Sequence, residues 1–179
     1  MKGIVFTLLN DMVEEKFGLE AWDALITKAG SDGMYLSTET YTDEELMKLV
    51  GAASEMTGIP ANDLVKAFGT YMFPQFYAKY PVFFKEGMTL KSFLLTVDRV
   101  IHVEVRKLYP DAALPDFEYE DEDDNALTMV YSSPRKMCAL AEGLIAGAAE
   151  HFSTEYSLKH DKCMHKGDSC CHLEMVFAS

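Results

Sequence analysis

Residues 126–148 read ALTMVYSSPRKMCALAEGLIAGA, and a change of hydrophobic period inside this stretch decides the fold. Its first residues alternate and carry Thr, Val and Tyr, which predicts a strand over 126–132. Ser133 and Pro134 are typical of an N-cap followed by the first residue of a helix. Leu and Ala then recur at helical spacing as far as residue 148. The stretch therefore predicts a strand that leads directly into a helix.

The chain upstream of this stretch is predicted to be helical. Thr42 followed by Glu45 is a capping-box pattern, and Gly30 and Pro110 are typical helix ends. The segment 111–124, which contains a proline and the acidic run EYEDEDD, is predicted to be a connection. The first expected helix carries Ile4, Leu8 and Met12 on one face, and the others cover 19–28, a segment opened by Thr42, 60–76 and 89–109.

Two further strands are predicted downstream, at 154–163 and 171–177, on either side of the turn-forming sequence HKGDS. Helices thus come first, followed by a strand, a helix and a hairpin. That order predicts an α+β fold, with an N-terminal helical subdomain and a small antiparallel sheet packed with helices. A length of 179 residues fits a single domain.

Composition narrows the class of function. The net charge of −13 argues against nucleic acid and anionic lipid as partners, because both bind basic surfaces. No apolar run approaches the roughly 18 residues of a membrane span, and the N-terminus lacks a cleavable leader. We therefore expect a cytoplasmic protein. Its four cysteines are then expected to be free, metal-bound or redox-active rather than disulfide-bonded.

His102 lies in the middle of the apolar fifth helix, between Ile101 and Val103. A buried imidazole needs partners for its ring nitrogens. One candidate partner is a metal, and another is the carboxylate of Asp98, one turn back. His102 is therefore either a metal ligand or a core histidine satisfied by Asp98.

Tyr131, Ser133 and Arg135 form the spacing Y-x-S-x-R where the predicted strand meets the helix. Positions two apart share a face of an extended chain, so three donors can converge on one anionic group. The Arg fork suits a carboxylate, and the helix expected to begin at Pro134 adds a positive field. The alternative is a surface Arg, a capping Ser and a core Tyr without a common ligand.

Taken together, these motifs resemble the H-NOX family, the haem–nitric oxide/oxygen sensors related to the haem domain of soluble guanylate cyclase. The similar stretches are MKGIVF at 1–6, NDLVKAFGTYMFP at 62–74, VDRVIHVEVRKLYP at 97–110, YSSPRKMCALAEGLIAGAAEHF at 131–152 and HDKCMHKGDSCCHLEMV at 160–176. The resemblance implies one sensor domain over 1–179. It also implies haem b buried between a distal helical part, about 1–60, and a proximal part with the sheet, about 61–179.

The resemblance further implies roles for individual residues. His102 matches the proximal ligand, the protein's bond to haem iron. Tyr131, Ser133 and Arg135 match the clamp on the haem propionates. Pro115 matches a proline that presses on the porphyrin and distorts it. Further residues at or near family pocket positions are Ile4, Val5, Leu8 or Leu9, Pro74, Tyr77, Leu140, Leu144 and Ile145.

Leu140 bears on the choice of gas. Oxygen-binding members of the family carry a tyrosine here, whose hydroxyl donates to bound dioxygen, a bond worth on the order of 1–3 kcal/mol in a dry pocket. Leu140 offers no donor, so the resemblance implies a sensor that binds nitric oxide, and also carbon monoxide, and excludes dioxygen. Tyr71 and Tyr77 are the remaining candidates for a donor from another direction.

A second group of ligating residues lies in the tail, where His160, Cys163 and Cys171 have the spacing H-x₂-C-x₇-C. His and Cys side chains suit tetrahedral zinc. A subset of H-NOX proteins is similar here and adds a cysteine of the preceding helix, which implies zinc ligands Cys138, His160, Cys163 and Cys171. Cys170 and Cys171 are expected on opposite faces of a strand, and Cys170 could substitute as the ligand. Zinc-bound thiolates can be oxidised, which would add redox sensing.

The expected function is thus a haem-based nitric oxide sensor that has no catalytic activity of its own and signals through a partner. In the family, stand-alone bacterial members regulate histidine kinases, in two-component systems, or diguanylate cyclases. The resemblance implies a mechanism in which gas binding would release His102 from the iron and the porphyrin would relax against Pro115. The alternatives are a zinc–thiol redox switch in which haem is secondary, a haem enzyme, and a binder of apolar small molecules.

Overall fold

The computed structural model describes residues 1–178, in which a helical part is followed by a four-stranded sheet packed with a long helix. The helices are α1 (Gly3–Phe17), α2 (Leu19–Ala29), α3 (Asp43–Thr57), α4 (Ala61–Lys79), α5 (Leu90–Leu94), α6 (Val103–Leu108) and α7 (Cys138–His151). A π-helical segment covers Val97–His102, and 3-10 turns cover Pro81–Phe83 and Met164–Lys166. The strands are β1 (Asp116–Glu120), β2 (Ala126–Ser132), β3 (Tyr156–Lys159) and β4 (Cys171–Phe177). The predicted α+β fold is confirmed.

Apolar side chains at helical spacing join α1, α2, α3 and α4 into a first hydrophobic core. On α4, Phe68, Met72 and Phe76 follow one another at intervals of one turn, and the first two are almost fully buried. Thr42 begins α3 because its side chain accepts a hydrogen bond from the Glu45 N–H at 3.3 Å. The predicted helices of this part are confirmed, and α1 runs from Gly3 to Phe17.

The sheet is antiparallel throughout, with strand order β1-β2-β4-β3. Buried and more exposed residues alternate along β2 and β4, because successive side chains of a strand point to opposite faces. The buried face forms a second hydrophobic core with α5 and α7, around Leu127, Met129, Ile145 and Leu173. Leu144 on α7 contacts both cores, so this helix joins the helical part to the sheet.

Helices α4 and α7 pack backbone against backbone, and glycines make this approach possible. A Cβ atom on Gly69 would lie 2.6 Å from the Leu140 carbonyl oxygen, and one on Gly143 would overlap the carbonyl oxygen of Lys66. A close-packed interior has no room for either atom. The distance between the two helices therefore depends on glycine at both positions.

The predicted connection at 111–124 is wrong in part, because Asp116–Glu120 forms β1 and pairs with β2. Phe117 and Tyr119 are half-buried against the second core while their acidic neighbours are exposed, so a strand alternation lay inside the acidic run. The strand expected over 154–163 is confined to Tyr156–Lys159.

Two helix predictions also differ from the structure. The helix expected over 89–109 is divided, because a π-helical segment ends at His102 and α6 begins only after it. The helix expected to begin at Pro134 begins at Cys138 instead. The Ser133 hydroxyl accepts a hydrogen bond from the Arg135 N–H at 3.3 Å and forms a local turn. A serine makes the same kind of bond at an N-cap, so the sequence alone does not distinguish this turn from the start of a helix.

None of the helices within residues 1–178 is both long enough and apolar enough to cross a membrane.

Candidate functional site

The His102 side chain is held by a carboxylate and is mostly buried. Its Nδ1 atom lies 3.3 Å from Oδ1 of Asp98, one turn back, and only 12% of the side chain is exposed. Burial lowers the pKa of the imidazole, and Asp98 offsets only part of that effect. A neutral ring with Nδ1 on a carboxylate leaves Nε2 as the atom that can bind a metal. π-Helical turns are rare and are frequent at functional sites.

Phe117 connects His102 with the end of β2. Its ring centroid lies 5.9 Å from that of His102 and 5.6 Å from that of Tyr131, which is also its partner in the β1–β2 register. Pro115 directly precedes β1. Phe117 thus lies against both His102 and Tyr131, and Pro115 is two residues before it in the chain.

The three residues of the Y-x-S-x-R motif lie at the end of β2 and in the turn after it. The Tyr131 hydroxyl accepts a hydrogen bond from the Met137 N–H at 2.9 Å and its side chain is buried. The Nε–H of Arg135 donates to Oδ2 of Asp43 at 2.8 Å, and Oδ1 of Asp43 accepts from the amino group of Met1 at 3.1 Å. The guanidinium has further N–H donors beyond Nε, which suit a propionate carboxylate.

The predicted distal pocket residues are divided between several environments. A cleft of about 530 Å³ between α1 and α4 is lined by Ile4 and Leu8, together with Thr7, Asp11, Ser37, Gln75, Phe76, Ala78 and Lys79. Val5 is buried in the first core and Leu9 packs against it, whereas Pro74 is exposed. The Tyr77 ring packs against the ring of His151 at an interplanar angle of 45°, with centroids 4.0 Å apart. The spacing of Phe76 from Met72 and Phe68 was the sequence signal for its place on this face of α4.

Three predicted pocket residues lie on α7. Leu140 and Leu144 are half-buried against the first core, and Ile145 is buried in the second. Tyr71, a candidate donor to bound gas, donates its hydroxyl hydrogen to Oε2 of Glu15 at 2.9 Å. Burial and that carboxylate raise the pKa of Tyr71 to about 12, so the hydrogen is firmly held.

The tail cysteines and His160 converge on one point. The ligand atoms of Cys138, His160, Cys163 and Cys171 all lie within 4.8 Å of one another. The Sγ atom of Cys163 is 3.8 Å from that of Cys138 and 3.9 Å from that of Cys171. Cys170 is partly exposed and lies outside the cluster. Three cysteines and one histidine are a donor set for a closed tetrahedral zinc site.

Two observations support a cation in this cluster. The Nε2 atom of His160 is buried and finds no hydrogen-bond partner among residues 1–178. Burial raises the pKa of the Cys138 thiol, and the neighbouring thiols raise it further. A divalent cation would use the orphaned nitrogen and stabilise the thiolates, so the residues present fit zinc.

Glu142 connects the cluster with helix α4. Its Oε1 lies 2.6 Å from Nδ1 of His160 and its Oε2 lies 2.8 Å from Nζ of Lys66 on α4. Burial opposes ionisation of Glu142, but Lys66 and His160 outweigh burial and lower the pKa of its carboxyl. Neither Glu142 nor Asp43 was predicted, because each acts through a contact between elements and carries no local sequence signal.

Several known proteins are similar to this chain in sequence and in fold. The family described as Haem-NO-binding matches residues 2–160. A solved H-NOX protein from S. oneidensis, in the Fe(II)NO ligation state, is 35% identical over 100% of both chains, with a TM-score of 0.93. An Fe(II) unliganded H-NOX protein from K. algicida is 34% identical over 100% of this chain and 97% of that chain, with a TM-score of 0.91.

A curated relative extends the comparison to a larger protein. Soluble guanylate cyclase gcy-31 of Caenorhabditis elegans is 27% identical over 140 residues, which are 76% of this chain and 20% of the relative. The chain thus spans about a fifth of the length of the curated relatives that it matches. The similarity concerns one part of those cyclases.

Proposed function

The chain belongs to the haem-NO-binding (H-NOX) family and is a haem-based gas-sensor domain, and from that premise we propose that it senses nitric oxide and excludes dioxygen. Haem b, when bound, supplies an iron that takes a diatomic gas. The remainder of the proposal concerns what the residues of this chain do around it. The observation that carries the proposal is a buried imidazole, His102, whose Nδ1 is held by Asp98.

We propose His102 as the ligand to the haem iron. Support comes from its burial, which favours the neutral imidazole, and from the carboxylate that would fix the ring and raise its basicity. Arg135, Ser133 and Tyr131 would hold the haem propionates. Arg135 supplies charge and Tyr131 a rigid buried anchor at the end of β2. Pro115 would press on the porphyrin from the start of β1.

The gas preference rests on the α7 side of the pocket. Leu140 carries no hydrogen-bond donor for bound dioxygen. Tyr71 donates to Glu15, and Tyr77 packs in an aromatic group with His151 and Phe84. Nitric oxide, and carbon monoxide, need such a donor far less than dioxygen does. Leu140 on α7 and the two tyrosines on α4 therefore favour a sensor of nitric oxide.

Signalling would begin when gas binding releases His102. The π-helical segment and α6 would then be free to shift, and the shift would change a surface that a partner protein reads. We propose a histidine kinase or a diguanylate cyclase as that partner, in the manner of stand-alone family members. We propose that this domain senses the gas and is not itself catalytic, as in the stand-alone members of the family.

The tail cluster supports a second candidate function. We propose that Cys138, His160, Cys163 and Cys171 bind zinc, because their ligand atoms converge and the His160 Nε2 atom is orphaned. Oxidation of the thiolates would release the metal and add redox sensing. A redox switch in which haem is secondary is the main alternative to the gas sensor.

Visible spectra of the reduced protein test the proposal. We expect a haem spectrum that does not change in air and changes with nitric oxide. His102→Gly should abolish normal haem loading, and free imidazole should restore it. Full haem loading of His102→Gly without imidazole would refute the ligand assignment, and an oxygen complex stable in air would refute the gas selectivity. Metal content and thiol titration, with and without haem, separate the sensor from the redox switch.

A further inference from the structure

The side chain of Glu142 sits between the candidate metal cluster and helix α4. One carboxylate oxygen lies 2.6 Å from Nδ1 of His160 and the other lies 2.8 Å from Nζ of Lys66. The Glu142 side chain is 16% exposed and that of His160 is 13% exposed, whereas Lys66 reaches in from solvent with 48% exposed. The pair formed by Glu142 and His160 is therefore the buried half of this network.

The contact with Glu142 determines which nitrogen of His160 is available. A carboxylate accepts hydrogen bonds, so in the neutral ring the proton is on Nδ1 and the lone pair is on Nε2. Nε2 is the buried atom without a partner among residues 1–178, and a ring nitrogen of His160 lies within 4.8 Å of the three Sγ atoms. The tautomer and the orientation that Glu142 imposes are those that a fourth zinc ligand needs.

Glu142 is in turn held by the packing of α4 on α7. Lys66 and Thr70 lie on α4, and the Thr70 hydroxyl donates to the Gly143 carbonyl oxygen at 3.2 Å. The neighbouring glycine contact leaves no room for a Cβ between Gly143 and the Lys66 backbone. A change in this packing would move the ammonium group that faces Glu142.

We propose that Glu142 is a positioning residue for the metal: it fixes His160 for coordination, and Lys66 anchors it to α4, so that the α4–α7 packing contributes to metal affinity. This inference rests on the proposed zinc cluster. It adds a residue outside the ligand set, and it connects the cluster with helix α4, which also lines the cleft of about 530 Å³ beside α1.

The test is zinc affinity of the purified full-length chain, measured by competition with a chromophoric chelator. Glu142→Ala should weaken zinc binding about 10- to 100-fold, the usual effect of removing a carboxylate behind a histidine ligand. Glu142→Gln keeps an acceptor for Nδ1–H and should lose less than Glu142→Ala. Lys66→Met should lose only about two- to fivefold, because a half-exposed ion pair contributes little. Glu150→Gln removes a charge from the exposed end of α7 and should change nothing.

A double-mutant cycle with His160→Ala separates positioning from a general structural role. If Glu142 acts through His160, adding Glu142→Ala to His160→Ala causes no further loss of affinity. Co(II) bound to Glu142→Ala should also show altered ligand-field bands, which a mere loss of stability would leave unchanged. Equal losses in both backgrounds, or unchanged zinc affinity in Glu142→Ala, would overturn the inference alone. A parent protein that binds no zinc would overturn the zinc cluster as well.

Discussion

The tail cluster and the haem-side residues are built in opposite ways. In the tail, four ligand atoms converge within 4.8 Å, and Nε2 of His160 has no protein partner within residues 1–178. On the haem side, the residues proposed as the clamp already contact other protein groups: Arg135 donates to Asp43, and Tyr131 accepts from Met137. A small ion needs ligands around one point, whereas a large planar cofactor needs contacts distributed over several elements.

The two histidines nevertheless share one device. Nδ1 of His102 faces Asp98 at 3.3 Å, and Nδ1 of His160 faces Glu142 at 2.6 Å. The first pair lies within one turn of a single segment, while the second joins α7 to the chain beyond β3. The first contact is thus set locally, and the second depends on tertiary packing. The difference predicts that the orientation of His160 is more sensitive to the packing of α4 on α7 than the orientation of His102.

Loss of a central thiol should have the largest effect and should be confined to the tail. Cys163 is the thiol within 3.9 Å of both other cluster thiols, so Cys163→Ser should reduce zinc from one equivalent to none. The melting temperature should fall by roughly 10 °C if zinc binding contributes about 4 kcal/mol. Haem loading should not change. Atomic absorption and thermal unfolding measure the two effects.

Cys170→Ser is the matched control for this experiment. Cys170 is partly exposed and outside the cluster, so its replacement should leave zinc content and melting temperature unchanged. Loss of zinc from Cys170→Ser with retention in Cys171→Ser would show that the neighbouring cysteine is the ligand. That result would contradict the register of β4, in which Cys171 pairs with Tyr131.

A methyl group between α4 and α7 should affect both sites. Gly143→Ala would place a Cβ against the Lys66 carbonyl oxygen, which cannot move away without shifting the helix. We expect a loss of about 2–4 kcal/mol in unfolding free energy, typical of overpacking against backbone. Zinc affinity and haem loading should both decrease, because α7 carries Cys138 and Leu140. Urea unfolding and metal titration provide the measurements.

Gly51→Ala is the control, since the added Cβ meets no atom within 4 Å on α3. Alanine in a helix interior is favoured over glycine by about 0.5–1 kcal/mol, so this variant should be slightly more stable than the parent. If Gly143→Ala changed one site and spared the other, α7 would not be a shared scaffold. If zinc affinity were the property spared, the inference that packing of α4 on α7 contributes to zinc affinity would be contradicted.

Local periodicity predicted most of the fold. The strand at Ala126–Ser132, the strand at Cys171–Phe177 and the helix at Leu19–Ala29 agree with their sequence patterns, because each buries one face at a regular interval. The strand β1 was missed because its Phe117 and Tyr119 stand among acidic residues that indicate a loop. The π-helical turn was missed because one widened turn hardly alters an apolar pattern.

In the candidate sites, too, residues with a local sequence pattern were predicted and residues that act across the fold were not. The spacing around Cys163 and Cys171 follows from a strand and its preceding turn, so a tail cluster was open to prediction and its ligand atoms do converge. Asp43, which holds Arg135 across 92 residues of sequence, was not open to prediction, because no local pattern encodes a contact between distant elements. The same holds for Glu142. Residues such as Asp43 and Glu142, which hold a predicted site residue in place, could therefore be identified only from the structure.

The contribution of Arg135 should be intermediate. Arg135→Ala removes a charge-assisted hydrogen bond, worth about 1.5–3 kcal/mol, and should weaken haem binding about 10- to 100-fold. Arg135→Lys retains the charge and loses the planar fork, so its loss should be smaller. Transfer of haem to an apo-globin acceptor measures the dissociation rate. Equal haem retention in all three proteins would remove Arg135 from the clamp, and zinc content should remain at the parent level throughout.

The smallest expected effect concerns the gas itself. Leu140→Tyr introduces a hydroxyl on the α7 side, which should stabilise bound dioxygen by about 1–3 kcal/mol, roughly 5- to 100-fold in affinity. Leu140→Phe matches the ring without the donor and separates hydrogen bonding from pocket volume. Visible spectra of the reduced proteins in air should show an oxygen complex for Leu140→Tyr and none for Leu140→Phe.

Each outcome for the Leu140 variants bears on how the haem side differs from the tail. An oxygen complex with Leu140→Tyr alone means that one polar atom on a half-buried face of α7 selects the gas, while the clamp and His102 hold the cofactor regardless. Oxygen complexes with both variants would trace selectivity to packing instead. In the proposed zinc site of the tail, the donor atoms themselves would set the selectivity for the metal, so no single substitution outside them should exchange one ion for another.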